Sequence, residues 1–234
     1  MTYSPVVPED CEGLRLRTFS WVEKYSPDQV AYANAHVDFP PDETGNYPAR
    51  RVDHRYFRRF FREPEDGLVE CAGNAFTTAG LTNLVSLWMG VTGTAVNSLK
   101  VTTGSAGAPG TSAAGPVMGI GTGTSSSQSD TIISTNGTAN AWHQEADGTS
   151  PTVSYPGSAI VQMINTVASA NANFAWNEWG WFTGAGTVTA GNAIASVYST
   201  ASSYAMVNHK AGASLLGTKA SGAAWVFTST MTIT

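Results

Sequence analysis

The clearest pattern in the chain lies at its C-terminal end, where Ala223-Ala-Trp-Val-Phe-Thr-Ser-Thr-Met-Thr-Ile-Thr234 alternates apolar and hydroxyl side chains. Trp225, Phe227, Met231 and Ile233 fall on one face, and Val226, Thr228, Thr230, Thr232 and Thr234 on the other. A period of two predicts a half-buried strand with a threonine-rich exposed face. The run Asn173-Phe-Ala-Trp-Asn-Glu-Trp-Gly-Trp-Phe182 reads as a second strand. It directs Phe174, Trp176 and Phe182 to one side and Trp179 and Trp181 to the other, with both faces covered. Ala159–Ala168, Ala193–Tyr198 and Tyr204–Lys210 are further strands, each bounded by Gly, Ser, Asn or Pro signals. One stretch has helical spacing instead: Leu81, Leu84, Val85 and Trp88 stand at i, i+3, i+4 and i+7. Asn74 or Thr78 is placed to cap that helix and Gly90 to end it.

Elsewhere the periodicity fails. Residues 91–129 are dense in Gly, Ala, Ser and Thr with sparse apolar punctuation, a composition of short strands joined by wide loops. Residues 1–70 hold seven of the eleven prolines, which break long helices and central strands, so most of this segment reads as an extended arm. Within it, Val52, Tyr56, Phe57 and Phe60 recur near helical spacing between Arg51, Arg55, Arg58, Arg59 and Arg62, as in a short amphipathic helix or a twisted strand. Short strands at this spacing predict a mainly β fold: an antiparallel β-sandwich with one short helix and an extended N-terminal arm. Its core is expected to draw on Phe174, Trp176, Glu178, Trp179, Trp225 and Phe227.

Charge divides the chain further. Only 12% of its 234 residues are charged, where soluble domains average about a quarter. Of those 29 residues, 22 lie within 1–70, and all eight arginines lie at or before Arg62. The division points to a charged arm at 1–70 and a nearly neutral body at 71–234. A net charge of −5 does not favour nucleic acid as a partner. With no apolar run of about 18 residues and no basic, apolar leader pattern, a membrane partner and a signal peptide are not expected. Cys11 and Cys71 read as ordinary thiols.

Candidate chemistry is thin. Gly119-Ile-Gly-Thr-Gly-Thr124 lacks the Gly-Lys-Ser/Thr continuation of a phosphate loop, and reads as a strand end running into a turn. No Gly-x-Ser-x-Gly elbow accompanies the four histidines, which show no metal-ligand spacing. His143-Gln-Glu145 with Asp147 reads as a polar surface loop. No catalytic residue, metal or cofactor is expected, and the chain reads as a non-enzyme. Glu178, between tryptophans, must find a partner on burial, and Lys210, Lys219 or a main-chain amide are available. Arg50, Arg51, Arg55, Tyr56, Phe57, Arg58, Arg59, Phe60 and Arg62 interleave cations with aromatics, the composition of protein interfaces as well as of single-strand binding. The flanking Glu63, Glu65, Asp66 and Glu70 nearly cancel the charge and favour a protein partner.

The segments Ala172–Phe182, Met206-Val-Asn-His-Lys210, Leu216-Gly-Thr-Lys-Ala-Ser-Gly222 and Trp225–Thr234 together resemble a family of tailed-bacteriophage virion structural proteins. The helix near Asn74–Met89 and the Gly119-Ile-Gly-Thr-Gly123 segment stand in the same order as in that family, so the resemblance spans about 74–234. The stretch 183–203 is longer and richer in Ala and Ser than the family's usual hairpin. The resemblance implies a capsid decoration (cement) protein, often trimeric, bound to the major capsid protein on the virion surface after synthesis in the host cytoplasm. A tail fibre or tail-tip component is the alternative it leaves. A carbohydrate-binding module using Trp176, Trp179 and Trp181 is a third reading, from the residues alone.

Overall fold

The computed structural model describes residues 16–36, 57, 60–61, 63–65, 67–72, 75–88, 117–133, 140–146, 152–154, 159–184, 190–191 and 204–233. Strand β1 (Leu16–Tyr25) leads into helix α1 (Pro27–Ala35), followed by β2 (Leu68–Ala72), β3 (Ala75–Phe76) and helix α2 (Thr78–Trp88). The rest is strand: β4 (Val117–Gly121), β5 (Trp142–Glu145), β6 (Thr152–Ser154), β7 (Ala159–Val167), β8 (Glu178–Gly184), β9 (Tyr204–Ala211) and β10 (Ala224–Ile233). Two five-stranded antiparallel sheets result, the first in order β2-β1-β10-β7-β6 and the second β3-β9-β8-β4-β5.

The sheets face each other as a sandwich, and the alternation of their strands supplies the core. Val22, Met163, Val167, Trp225 and Phe227 come from the first sheet; Met118, Ile120, Trp179, Trp181 and Val207 come from the second. The indole of Trp179 lies 5.0 Å from the ring of Phe227, and Trp176 meets Trp225 edge-on at 4.8 Å. Large rings of this kind each bury about 150–250 Å², so a few such contacts supply much of the driving force. Side-chain amides tie the two sheets together at one side. Asn165 on β7 donates through Nδ2 to the carbonyl of Glu145 on β5 at 2.8 Å, and Gln144 Nε2 donates to the carbonyl of Thr166 at 3.0 Å.

Strand β10 lies where the alternation predicts, and β7 and β9 lie where the bounding turn residues place them. The tryptophan-rich run becomes a strand only from Glu178. Before it, the chain turns at Ala172, which sits in the left-handed region at φ 51. The carbonyl of Ala172 then accepts from the indole Nε1 of Trp176 at 2.9 Å. The main chain of Trp176 exchanges bonds with Gly217 and Leu216 instead of entering the sheet. Trp176 therefore joins Trp179 and Trp181 in one core, not the opposite face that strict alternation predicts. The expected helix begins after Thr77, whose hydroxyl accepts from the amide of Gly80 at 3.0 Å. Thr77 is the cap in place of Thr78; Asn74, Gly90 and the expected strand Ala193–Tyr198 lie outside the described residues.

Residues 16–36 and 68–72 correct the reading of 1–70 as an arm. Strand β1 is an interior strand, paired with β10 from Leu16↔Ile233 to Tyr25↔Ala224 and with β2 on its other side. A boundary near residue 70 therefore falls inside a strand of the sandwich. A second helix, α1, follows at once. Ser26 accepts from the amide of Gln29 at 3.2 Å, Gln29 reaches back to the Ser26 amide, and Pro27 opens the first turn.

Helix α1 and the turn at Phe57 cover part of the outer face of the first sheet. Tyr25 stacks on Phe57 at 4.7 Å, among Val30, Ala33, Ile164 and Val226. The expected exposed threonine face of β10 is consequently buried at Val226 and Thr228. Farther along the same face, Phe19 and Leu68 are exposed.

Candidate functional site

The chemistry of the described residues gathers on the outer face of the second sheet, beneath α2 and the segment 122–133. One row of this sheet reads His143, Gly119, Gly180, His209 across β5, β4, β8 and β9. The two central glycines leave room for neighbouring groups. A Cβ on Gly119 would stand 2.7 Å from Phe182 Cε2 and 2.9 Å from His143 Cδ2, and one on Gly180 would stand 2.8 Å from the Asn208 carbonyl. His143 is fully buried there, its ring edge-on to Phe182 at 5.6 Å. His143 and Gln144 thus belong to a strand that packs the sandwich, correcting the expectation of a polar surface loop; Asp147 lies outside the described residues.

Next to this row β8 and β9 are out of step. The register runs Trp181↔Asn208 and then Phe182↔Met206, leaving Val207 as an extra residue in a β-bulge. The side chain of Asn208 fills the gap, its Oδ1 accepting from the Trp181 amide at 3.0 Å. The carbonyl of Val207 takes the amide of Thr77 at 3.0 Å, which docks the start of α2 on the bulge.

At the other end of the row, His209 is held by two carboxylates. Its Nε2 is 3.1 Å from Glu178 Oε2 and its Nδ1 is 2.7 Å from Asp130 Oδ2. Glu178 also accepts from the amide of Gly123 at 2.7 Å, and Asp130 from the amide of Ser127 at 2.6 Å. Glu178 and His209 are buried, whereas Asp130 is 28% exposed. Two carboxylates can both be satisfied only if both ring nitrogens carry hydrogen, so the arrangement selects the imidazolium. Burial by itself lowers the pKa of His209, and the hydrogen bonds and charges of Glu178 and Asp130 more than reverse it, leaving the pKa raised. With both N–H groups engaged, His209 has no lone pair with which to act as a base.

Glu178 therefore does find a main-chain amide, together with His209, which sequence reasoning did not name. Lys219 is elsewhere, buried with its Nζ 2.7 Å from Asn173 Oδ1, and burial lowers its pKa to about 8. Glu178 faces away from the tryptophan core that was expected to hold it. Trp176, Trp179, Trp225 and Phe227 are in that core, with Phe174 packed at its margin.

Of the expected partner-binding residues, Arg50, Arg51, Arg55, Tyr56, Arg58, Arg59 and Arg62 lie outside the described residues. Phe57 is buried on Tyr25, so its ring belongs to the protein's own core and is not available to a partner. Phe60 is half-buried beside Tyr32 and Phe61. Compared with known proteins, the chain matches no family model, no curated protein and no solved structure.

Proposed function

We propose that the protein is a non-enzymatic structural component of a tailed-bacteriophage virion, a decoration protein that binds the major capsid protein on the outside of the head. The observation that supports it best is that, among the described residues, the histidine–carboxylate cluster of the second sheet and the buried lysine are engaged in the protein's own hydrogen bonds. Asp130 and Glu178 fasten His209, and Lys219 is buried against a neutral amide. A cement protein acts through contact area, with about 1,200–2,000 Å² buried at a stable interface, and needs no reactive group. The interleaved arginines and aromatics between Arg50 and Arg62, without Phe57, are the proposed contact residues, and a homotrimer is the proposed assembly. Sugar stacking does not fit the geometry, because Trp176, Trp179 and Trp181 are all buried within the sandwich.

The test is immunogold labelling of intact particles of the phage that encodes the chain, using antibody raised against the folded protein. Label distributed over the head is the expected result. Label confined to the tail overturns head decoration in favour of the tail component, and unlabelled particles overturn the virion assignment. Full-length protein carrying Arg55→Glu, Arg58→Glu and Arg59→Glu is expected to bind purified heads at least tenfold more weakly; undiminished binding removes that stretch from the interface.

A further inference from the structure

We propose that His209 is a pH-operated clip: as an imidazolium it fastens the segment 122–133 to the second sheet, and on losing a proton it lets that segment go. The geometry already carries the connections. Asp130 reaches His209 from the segment, Gly123 of the same segment donates to Glu178, and the carbonyl of Gln128 accepts from the amide of Thr78 at the first residue of α2. The stretch 124–129 between these ties is exposed. One buried imidazolium thus holds both a surface segment and the start of a helix.

Among the described residues, two carboxylates contact His209. Glu178 faces it from β8 and Asp130 from the segment. Strands β3 and β4 and helix α2 carry no ionisable side chain. On its own strand Lys210 stands at the next position, in register with Trp179, and His143 lies along the row beyond Gly180 and Gly119. Neutralising the ring leaves one donor and one lone pair between two carboxylates, so one contact becomes repulsive. Glu178 is buried and also held by Gly123, whereas Asp130 is partly exposed and can be taken up by water. Asp130 is the arm that releases, and it carries the Ser127 amide bond with it.

The direction in pH follows from linkage. The closed form holds its proton more tightly than the open one, in which the ring has lost Asp130, and the closed ring's pKa is raised above the ordinary histidine value of 6.5. Opening is therefore least frequent below the open ring's pKa. It rises by up to about tenfold per pH unit until the raised pKa is passed, and then levels off.

Hydrogen exchange on the full chain from pH 6 to 9, corrected for the intrinsic pH dependence of amide exchange, reads this directly. The amides of Gly123 and Thr78, which make the remaining ties between the segment and the rest of the protein, are expected to lose protection together as pH rises, while those of β10 keep theirs. His209→Gln is expected to abolish the pH dependence, and Asp130→Asn to move it to lower pH. Equal behaviour of segment and β10 amides overturns the clip, as does an unchanged pH profile in His209→Gln. If that variant fails to fold, the NMR titration of the His209 ring in the unaltered chain decides: a midpoint above 6.5 supports the clip, and one at or below 6.5 overturns it.

Discussion

Replacing Gly80 by alanine pits helix propensity against packing, and the two predict opposite signs. Gly80 lies in the first turn of α2, where alanine favours the helix over glycine by about 1 kcal/mol. A Cβ at that position would stand 2.2 Å from the carbonyl oxygen of Val207 and 2.7 Å from its Cα, both backbone atoms that cannot swing aside. Close carbon–oxygen contacts settle at about 3.3 Å, so the helix must withdraw by about 1 Å. That movement breaks the 3.0 Å bond from the Thr77 amide to the same carbonyl and disturbs the Thr77 hydroxyl, which donates to the carbonyls of Met206 and Val207. Overpacking costs about 1–3 kcal/mol and the lost hydrogen bond about 1. After the propensity gain, a net destabilisation of about 1–3 kcal/mol remains. Urea unfolding followed by the fluorescence of the buried tryptophans measures it. Gly212→Ala is the control, since its Cβ would meet only Leu215 Cδ1 at 3.8 Å. If Gly80→Ala is as stable as the unaltered chain or more so, the docking of α2 on the bulge is refuted.

Three further outcomes follow from the same structure. A chain lacking residues 1–70 loses β1, the ten-residue partner of β10, so it should give no cooperative unfolding transition; a folded truncation would show that the sandwich closes without its interior strand. Trp176→Phe should cost about 1 kcal/mol more than Trp179→Phe, because both lose similar volume but only Trp176 gives up an indole hydrogen bond, to Ala172; equal costs in urea titrations would discount that bond. Lys219 binds its proton less tightly folded, near pH 8, than unfolded, near 10.5. Stability of the unaltered chain should therefore rise relative to Lys219→Met between those values, and a flat difference across that range would contradict the burial of the amine.

The strands that could be read from the sequence are those whose two faces differ in kind. Strand β10 is apolar on one side and hydroxyl-bearing on the other over most of its length, and β7 and β9 are bounded by turn residues. Strand β1 escaped because its inward side contains Ser20, hydrogen-bonded to Ser229 at 2.9 Å, and Lys24, whose ammonium lies over the Trp225 ring at 4.5 Å. A polar pair and a cation on the core face imitate the pattern of an exposed arm. Charge composition reinforced the impression, although Glu23 is buried with the Tyr25 hydroxyl donating to it. The signal for α1 was present in Ser26-Pro-Asp-Gln29, a capping box with proline at the first helical position, and prolines counted only as breakers conceal it.

The clip around His209 was half legible. That Glu178 needs a buried partner follows from its neighbours alone, and one of the partners anticipated, a main-chain amide, is present at Gly123. The other depends on a fault in the sheet. Val207 lies in the core between the sheets, and strict alternation would send His209 to the same side, away from Glu178. The bulge makes Val207 an extra residue and reverses the alternation after it, which turns His209 to the outer face where Glu178 stands. Asp130 then arrives from an irregular segment 79 positions away, with no periodicity to announce it. The same extra residue presents the Val207 carbonyl to Thr77 and so anchors α2. A single insertion in β9 thereby both aims the histidine and docks the helix whose first amide the clipped segment holds, which couples the titration of one ring to the seating of α2.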